Sequence, residues 1–290
     1  MYNKAKDLEK VALGIAAMFG LYWMYSIVIS PLLPFPDNIK GVTGLAVLYV
    51  AGLGLFFLST KNISKQPFSL RIKSKVSFRT ILLCFLLHCT AFMVLNILSI
   101  IISLFGGVSA STESDPLTFT MAFMLLVFNP VIEELVFRHL FATRLMRYGE
   151  RFYILTSAYC FAILHGVSIG LTHIVYTFIM GLIWAYLTVK SGSMLLAVIM
   201  HSLSNLFNSV IIQLLMEFSV TALGIYSLLI MALGITGLIL FIKNRKKIVL
   251  DDSPGFMNRE AAKGFFTNRG IFAYTVLTLV FMVLKVVLNR

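Results

Sequence analysis

Nine stretches of about twenty mostly apolar residues follow one another along this chain, at roughly 10–30, 41–60, 80–105, 117–143, 152–171, 173–190, 193–215, 219–242 and 270–288. Each has the roughly 17 to 25 residues that carry an α-helix across a bilayer, where a helix satisfies its own backbone polar groups. Composition agrees: 59% of residues are hydrophobic and 12% charged, against about 25% charged in an ordinary soluble domain. A water-soluble chain of 290 residues could not hide that much apolar surface. The expected fold is therefore an all-α polytopic membrane bundle of about eight or nine transmembrane helices.

The formal net charge of +12 could suggest nucleic acid, but its distribution argues otherwise. Lys61, Lys65, Arg71, Lys73, Lys75 and Arg79 crowd the second connection, Arg144, Arg147 and Arg151 the fourth, Lys190 the sixth, and Lys243 to Arg269 the eighth. The odd-numbered connections hold Asp37 and Lys40, then Glu113 and Asp115, then no charge, then Glu217. This alternation is the positive-inside pattern, and predicts a multi-pass protein of the cell membrane with its N-terminus in the cytoplasm and its C-terminus outside. The first apolar block follows Lys4, Lys6 and Lys10 and lacks a small-x-small cleavage pattern before "SPLLPF", so it is expected to be a retained span.

Residues 1–117 are read as N-terminal spans, 118–215 as a catalytic core and 216–290 as C-terminal spans. Two cytoplasmic segments stand apart. In 61–79, Phe68, Leu70, Ile72, Val76 and Phe78 alternate with cations, as in an amphipathic segment on an anionic leaflet, and the spacing fits either a short strand or a helix. The basic stretch 243–269 is polar enough for a solvated linker. Cys84, Cys89 and Cys160 all lie in spans without a CxxC pair, so neither a disulfide framework nor a thiolate metal site is expected.

The fourth block contains "FNPVIEELVFRHL", with Glu133, Glu134 and Arg138 where hydrocarbon would surround them. A carboxylate near the bilayer centre costs at least roughly 2.5–3.5 kcal/mol on insertion scales and so faces a partner or water. Glu134 and Arg138, spaced i,i+4, can pair on one helix face. Glu133 points about 100° away and has Phe137 at i+4, so its partners must come from other spans. The fifth span offers His165 in "CFAILHG"; the seventh offers His201, Ser204, Asn205 and Asn208 on one helical stripe. The naive depths of Glu133, His165 and His201 differ by several ångströms, and Pro130 predicts a kink just before the glutamates.

A carboxylate in a low-dielectric site is a useful general base toward water. Glu133 with His165 can polarise a water while His201 and Asn205 donate to an oxyanion on a peptide carbonyl. Equally, Glu133, His165 and His201 can serve as three ligands of a catalytic zinc with water in the fourth position. Both routes end in hydrolysis.

These residues resemble a known family. "EELVFR" (133–138) is similar to an EExxxR motif, "FAILH" (161–165) to FxxxH and "HSLSN" (201–205) to HxxxN, in the order found in the CPBP family of CAAX proteases and bacteriocin-processing enzymes. The resemblance covers roughly 118–210. It implies a glutamate-dependent intramembrane endopeptidase with Glu133, His165, His201 and Asn205 at catalytic positions. Glu134, Arg138 and Phe161 take supporting ones. It allows either a bound divalent metal or a metal-free water, and substrates ranging from CAAX-type tails to bacteriocin leaders and membrane-protein tails.

Other intramembrane proteases fit poorly. There is no HExxH, "SGSM" at 191–194 lacks a GxSG pattern, and every Asp lies in a terminus or connection. Two rivals keep other readings open: an immunity or scaffolding protein of the same fold, and an ion-coupled transporter, since intramembrane charges also mark relays. The dull assignment goes to His88, His139 and His173 as packing groups, and to Trp23 and Trp184 as interface anchors or packing groups. The expected partners are the bilayer and a membrane peptide or protein substrate. The basic face and the site depth lean toward substrates from the cytoplasmic leaflet.

Overall fold

The computed structural model describes residues 3–105, 117–251 and 259–288; among them every regular element is helical. Among the described residues nine helices are long and apolar enough to cross a membrane: α1 (Lys4–Leu32), α2 (Asp37–Thr60), α3 (Phe78–Leu104), α4 (Phe119–Tyr148), α5 (Glu150–Ile169), α6 (Leu171–Ser191), α7 (Leu195–Phe218), α8 (Val220–Lys247) and α9 (Arg269–Leu288). A polar residue caps several of them, and for α1 and α3 it extends the helix ahead of the apolar block. Asn3, Ser77, Thr118 and Ser219 each accept a hydrogen bond from a backbone N–H in the first turn. Glu113 and Asp115 lie outside the described residues.

Lipid-exposed helices gain no hydrophobic drive from pairing, so close backbone approach and interhelical hydrogen bonds hold them. The α5–α6 hairpin is the most extensively packed pair. Gly181 makes that possible: a Cβ there would sit 2.9 Å from the Ala158 Cα. α8 lies on α3, with Thr90 donating to the Gly234 carbonyl at 2.7 Å. α9 lies against α1 and α5, where Tyr274 donates to the Cys160 carbonyl at 2.9 Å and Trp23 meets Phe281. Both tryptophans are buried packing groups, Trp23 at 2% and Trp184 at 3% exposure. The arrangement leaves α4 to α7 at the centre, with α7 packed on α4 and α6.

The even-numbered connections meet at one end of the bundle, here the basic end. Residues 61–77 form an irregular strap across it rather than a helix or a regular strand. Gln66 N–H donates to the Thr143 carbonyl of α4, Lys73 and Ser74 N–H groups donate to the Ser191 carbonyl of α6, and Ser193 donates to the Leu70 carbonyl. Phe68 packs edge-on to His139. Leu70 and Ile72 stay exposed. The strap is thus pinned by backbone bonds to the bundle, where an amphipathic pattern alone suggested a segment on lipid.

The 243–269 stretch also differs from a solvated linker. Residue 251 exchanges hydrogen bonds with Glu150, Lys190 donates to the Val249 carbonyl at 2.6 Å, and a short helix Arg259–Phe266 sets Phe265 and Phe266 against Tyr159. Aromatic anchors and carbonyl acceptors outweigh its polar composition; residues 252–258 lie outside the described residues.

Candidate active site

The helix carrying the glutamates is not regular. Within α4 an α-helical stretch Asn129–Glu134 is flanked by two π-helical stretches, Met124–Phe128 and Leu135–Leu140. Pro130 stands in the first turn of the middle stretch, where its missing N–H breaks the hydrogen-bond ladder. The expected kink is therefore resolved as widened turns, which re-aim the side chains on either side. Asn205 uses the loosened backbone: its amide donates to the Leu125 carbonyl at 2.8 Å, tying α7 to the first π-helical stretch.

Glu134 and Arg138 pair as spaced. Arg138 Nε lies 2.9 Å from Glu134 Oε2 with both side chains fully buried. Arg138 also donates through Nη1 to Ser157 Oγ at 2.8 Å, and its guanidinium stands over the Phe161 ring at 4.9 Å. Ser157 in turn donates to the Phe137 carbonyl, closing a loop between α4 and α5. The second oxygen of Glu134 does more than balance charge: it lies 3.1 Å from His201 Nδ1 on α7. A carboxylate accepts, so Nδ1 carries the hydrogen and Nε2 faces the other way.

His201 Nε2 faces Glu133. The distance to Glu133 Oε2 is 3.9 Å, too long for a hydrogen bond, and that buried oxygen has no hydrogen-bond partner. Glu133, His165, His201 and Asn205 all line one cavity of about 510 Å³. His165 Nδ1 lies 2.8 Å from the Phe161 carbonyl one turn earlier, which can only accept. That fixes Nε2 of His165 as the lone-pair nitrogen. Phe161, the first residue of the FxxxH motif, lies under this imidazole at 4.6 Å between ring centroids and edge-on to His201.

The mismatch in depth is absorbed at the α6–α7 turn. Ser191 and Ser193 are fully buried beneath the strap, so α7 starts inside the bundle and His201, two turns on, reaches both glutamates.

Of the side chains set aside as packing groups, Trp184 and His173 line the cavity, and His88 reaches it through Trp184. The indole of Trp184 stacks on His201 at 3.9 Å and 17° between planes, and its N–H donates to His88 Nε2 at 3.0 Å. His88 is thus a bonded core residue, as expected, but bonded to the plate that holds His201. Nothing in the sequence marks a neutral tryptophan 17 residues before a histidine as its stacking partner.

A zinc held by Glu133, His165 and His201 requires three donors converging at about 2.0–2.2 Å from one point. Among the described residues no three His, Cys, Asp or Glu side chains are so grouped. His165 and His201 both turn Nδ1 to protein acceptors, which leaves Nε2 of each free as in metal-bound histidines, while Glu133 Oε2 stands 3.9 Å from His201 Nε2. The donor types suit a metal, but these three are not drawn to one point.

Residues 115–207, which hold all three motifs, match the family model of the type II CAAX prenyl endopeptidase Rce1-like proteins. No curated protein and no solved structure matches the chain. That segment holds α4 to α6 and the first part of α7, four of the nine apolar helices among the described residues, as befits an integral multi-pass membrane protein. Over residues 115–207 the chain is therefore similar to the Rce1-like type II CAAX prenyl endopeptidases, a family of proteases, consistent with a CPBP intramembrane protease.

Proposed function

We propose that the protein is an intramembrane endopeptidase that hydrolyses a peptide bond with a water activated by Glu133 and His165. The observation that carries this is the Glu133 carboxylate: a buried oxygen that accepts no hydrogen bond from the protein, in a cavity it shares with a histidine whose free lone pair is fixed at Nε2. A base must be within reach of the proton it takes, and both acceptors border the same space. In this reading Glu133 takes a proton from water as its oxygen attacks the carbonyl, His165 Nε2 accepts the water's second hydrogen and orients it, and Glu133 then returns the proton to the leaving amine.

His201 and Asn205 serve the oxyanion. For His201 to donate through Nε2, both ring nitrogens must carry hydrogen, since Nδ1–H is held by Glu134. Two carboxylates then face two cations, His201 and Arg138, and the buried cluster is neutral overall. Asn205 has a second amide hydrogen beyond the one given to Leu125. Because no zinc geometry is present among the donors, no step is routed through a metal. Purified protein is expected to hold less than stoichiometric zinc and to keep its activity after chelation, measured by elemental analysis and turnover.

Residues 118–215 supply every catalytic group in this scheme, while 1–117 supply part of the cavity wall, with Tyr22, Tyr49 and Leu95 among the lining residues; 216–290 brace the outside of the bundle. A CAAX-type tail, a bacteriocin leader or another membrane-associated peptide all present the bond this site would cleave. Terminal-peptide proteomics of membranes with wild-type protein and with Glu133→Gln is the direct test. New termini present with wild type and lost with Glu133→Gln are expected. Identical termini in both would remove the hydrolase reading in favour of a binding protein of the same fold.

A further inference from the structure

α4 carries two fully buried arginines, and their surroundings differ. Arg138 has the Glu134 carboxylate and the Ser157 hydroxyl. Arg144, which the distribution of charge assigns to a connection, lies one turn inside the end of α4 and is 1% exposed. Its Nη1 donates to the Leu140 carbonyl at 3.0 Å and to Thr143 Oγ1 at 3.1 Å. Nε and Nη2 are buried and have no hydrogen-bond partner. Those two nitrogens share the edge of a guanidinium that takes two oxygens of one anion side by side. No carboxylate among the described residues pairs with Arg144. It has two ring faces instead, Phe56 at 5.0 Å and Phe57 at 5.8 Å. Ring faces return only part of what a guanidinium loses on leaving water.

The surroundings show how an anion reaches that edge. Toward the basic end the strap closes the way: Gln66 N–H holds the Thr143 carbonyl at 2.7 Å, and Thr60 and Ile63 are buried. Toward the bilayer stands the Phe57 ring, 41% exposed, beside Leu58 at 63%. An exposed side chain changes rotamer within nanoseconds, whereas the strap moves only by breaking backbone bonds. α4 has 30 residues, and a helix of that length spans about 45 Å, hydrocarbon and headgroup regions together. Its last turn therefore lies at the level of lipid phosphates. Lys65 is exposed there, its ammonium 6.0 Å from the Phe57 ring, and a second cation favours a headgroup with net negative charge.

We propose that Arg144 and Lys65 form a binding site for the phosphate of an anionic phospholipid in the leaflet at the basic end, the headgroup entering from the bilayer as the Phe57 ring swings aside. The Nε–Nη2 edge donates to two phosphate oxygens, and Lys65 adds positive charge from the solvent side. The site is separate from the hydrolase reading, since Arg144 does not line the cavity of Glu133.

The full chain, purified in detergent, is melted alone and with phosphatidylglycerol, phosphatidylcholine or inorganic phosphate, and native mass spectrometry counts the lipid it retains. Wild type is expected to keep one phosphatidylglycerol in preference to phosphatidylcholine, and to melt higher with phosphatidylglycerol only. Arg144→Met should lose both effects. Without lipid it should melt no lower than wild type, because it removes a buried charge that has no counter-ion. Arg144→Lys keeps the charge but loses the two-pronged edge, and should weaken phosphatidylglycerol retention about tenfold. Lys247→Ser, at the end of α8, should leave retention unchanged. Equal retention by wild type, Arg144→Met and Arg144→Lys would overturn the proposal. So would a lower melting temperature of lipid-free Arg144→Met, which would mean that the rings and the Leu140 and Thr143 acceptors already satisfy the cation. Phosphatidylcholine acting as well as phosphatidylglycerol would overturn the anionic assignment. Inorganic phosphate acting as well would put a free anion at Arg144 and overturn the lipid.

Discussion

At the scale of single residues, the two adjacent glutamates separate by what they touch. Glu134 is spent on structure, holding Arg138 through one oxygen and His201 through the other. Glu133 keeps a buried oxygen that accepts no hydrogen bond. Glu133→Gln should therefore lower turnover by about 10²–10⁴-fold, the range of a lost general base, with an unchanged melting temperature in detergent. Glu134→Gln should do damage of another kind. It leaves Arg138 buried against a neutral amide, a loss of about 3–5 kcal/mol, read as a melting temperature lower by several degrees together with lost activity. Trp184→Leu removes both the plate under His201 and the donor to His88, and is expected to lower turnover more than it lowers substrate affinity, measured as kcat against KM. The ionisable members of the site were legible in the sequence because lipid rejects charge, so each one demands an explanation. Trp184 was not, because an indole is at home in a membrane whatever it touches.

At the scale of elements, the nine spans were legible from length and apolarity alone, and the structure moves the starts of α1 and α3 outward to where Asn3 and Ser77 cap them. The π-helical stretches beside Glu133 and Glu134 were not legible beyond the hint of Pro130. A widened turn differs from an α-turn by one residue of hydrogen-bond register and leaves no periodic mark. The strap was ambiguous for a related reason: its bonds to Thr143 and Ser191 are made by backbone groups, which any sequence supplies. The α5–α6 pair carries Phe161 and His165 on one helix and Trp184 on the other, so its spacing sets the site. Gly181→Val would press a branched side chain onto Ala158, already 2.9 Å from the first added carbon. It should cost about 1–3 kcal/mol as an overpacked contact and lower activity in proportion to the fraction misfolded, measured by thermal unfolding beside turnover.

At the scale of the whole molecule, the charge could be read along the chain and the cavity could not. The cavity is assembled from residues as far apart as Met18 and Ser209, so it emerges only when the helices are packed. That same separation along the chain bears on how the protein is made. Glu134 and its partner His201 are 67 residues apart, and at about 5–20 residues per second the ribosome delivers the second several seconds after the first. During that interval α4 sits in or beside the bilayer with only Arg138 to answer its carboxylates, and Glu133 waits for His201 to face it. A chain stopped after α6 should thus hold α4 poorly, be degraded faster than the full chain in a pulse-chase experiment, and be rescued when α7 to α9 are supplied as a separate fragment. The charged cluster that would cleave other membrane peptides is, until α7 arrives, the part of its own chain most exposed to quality control.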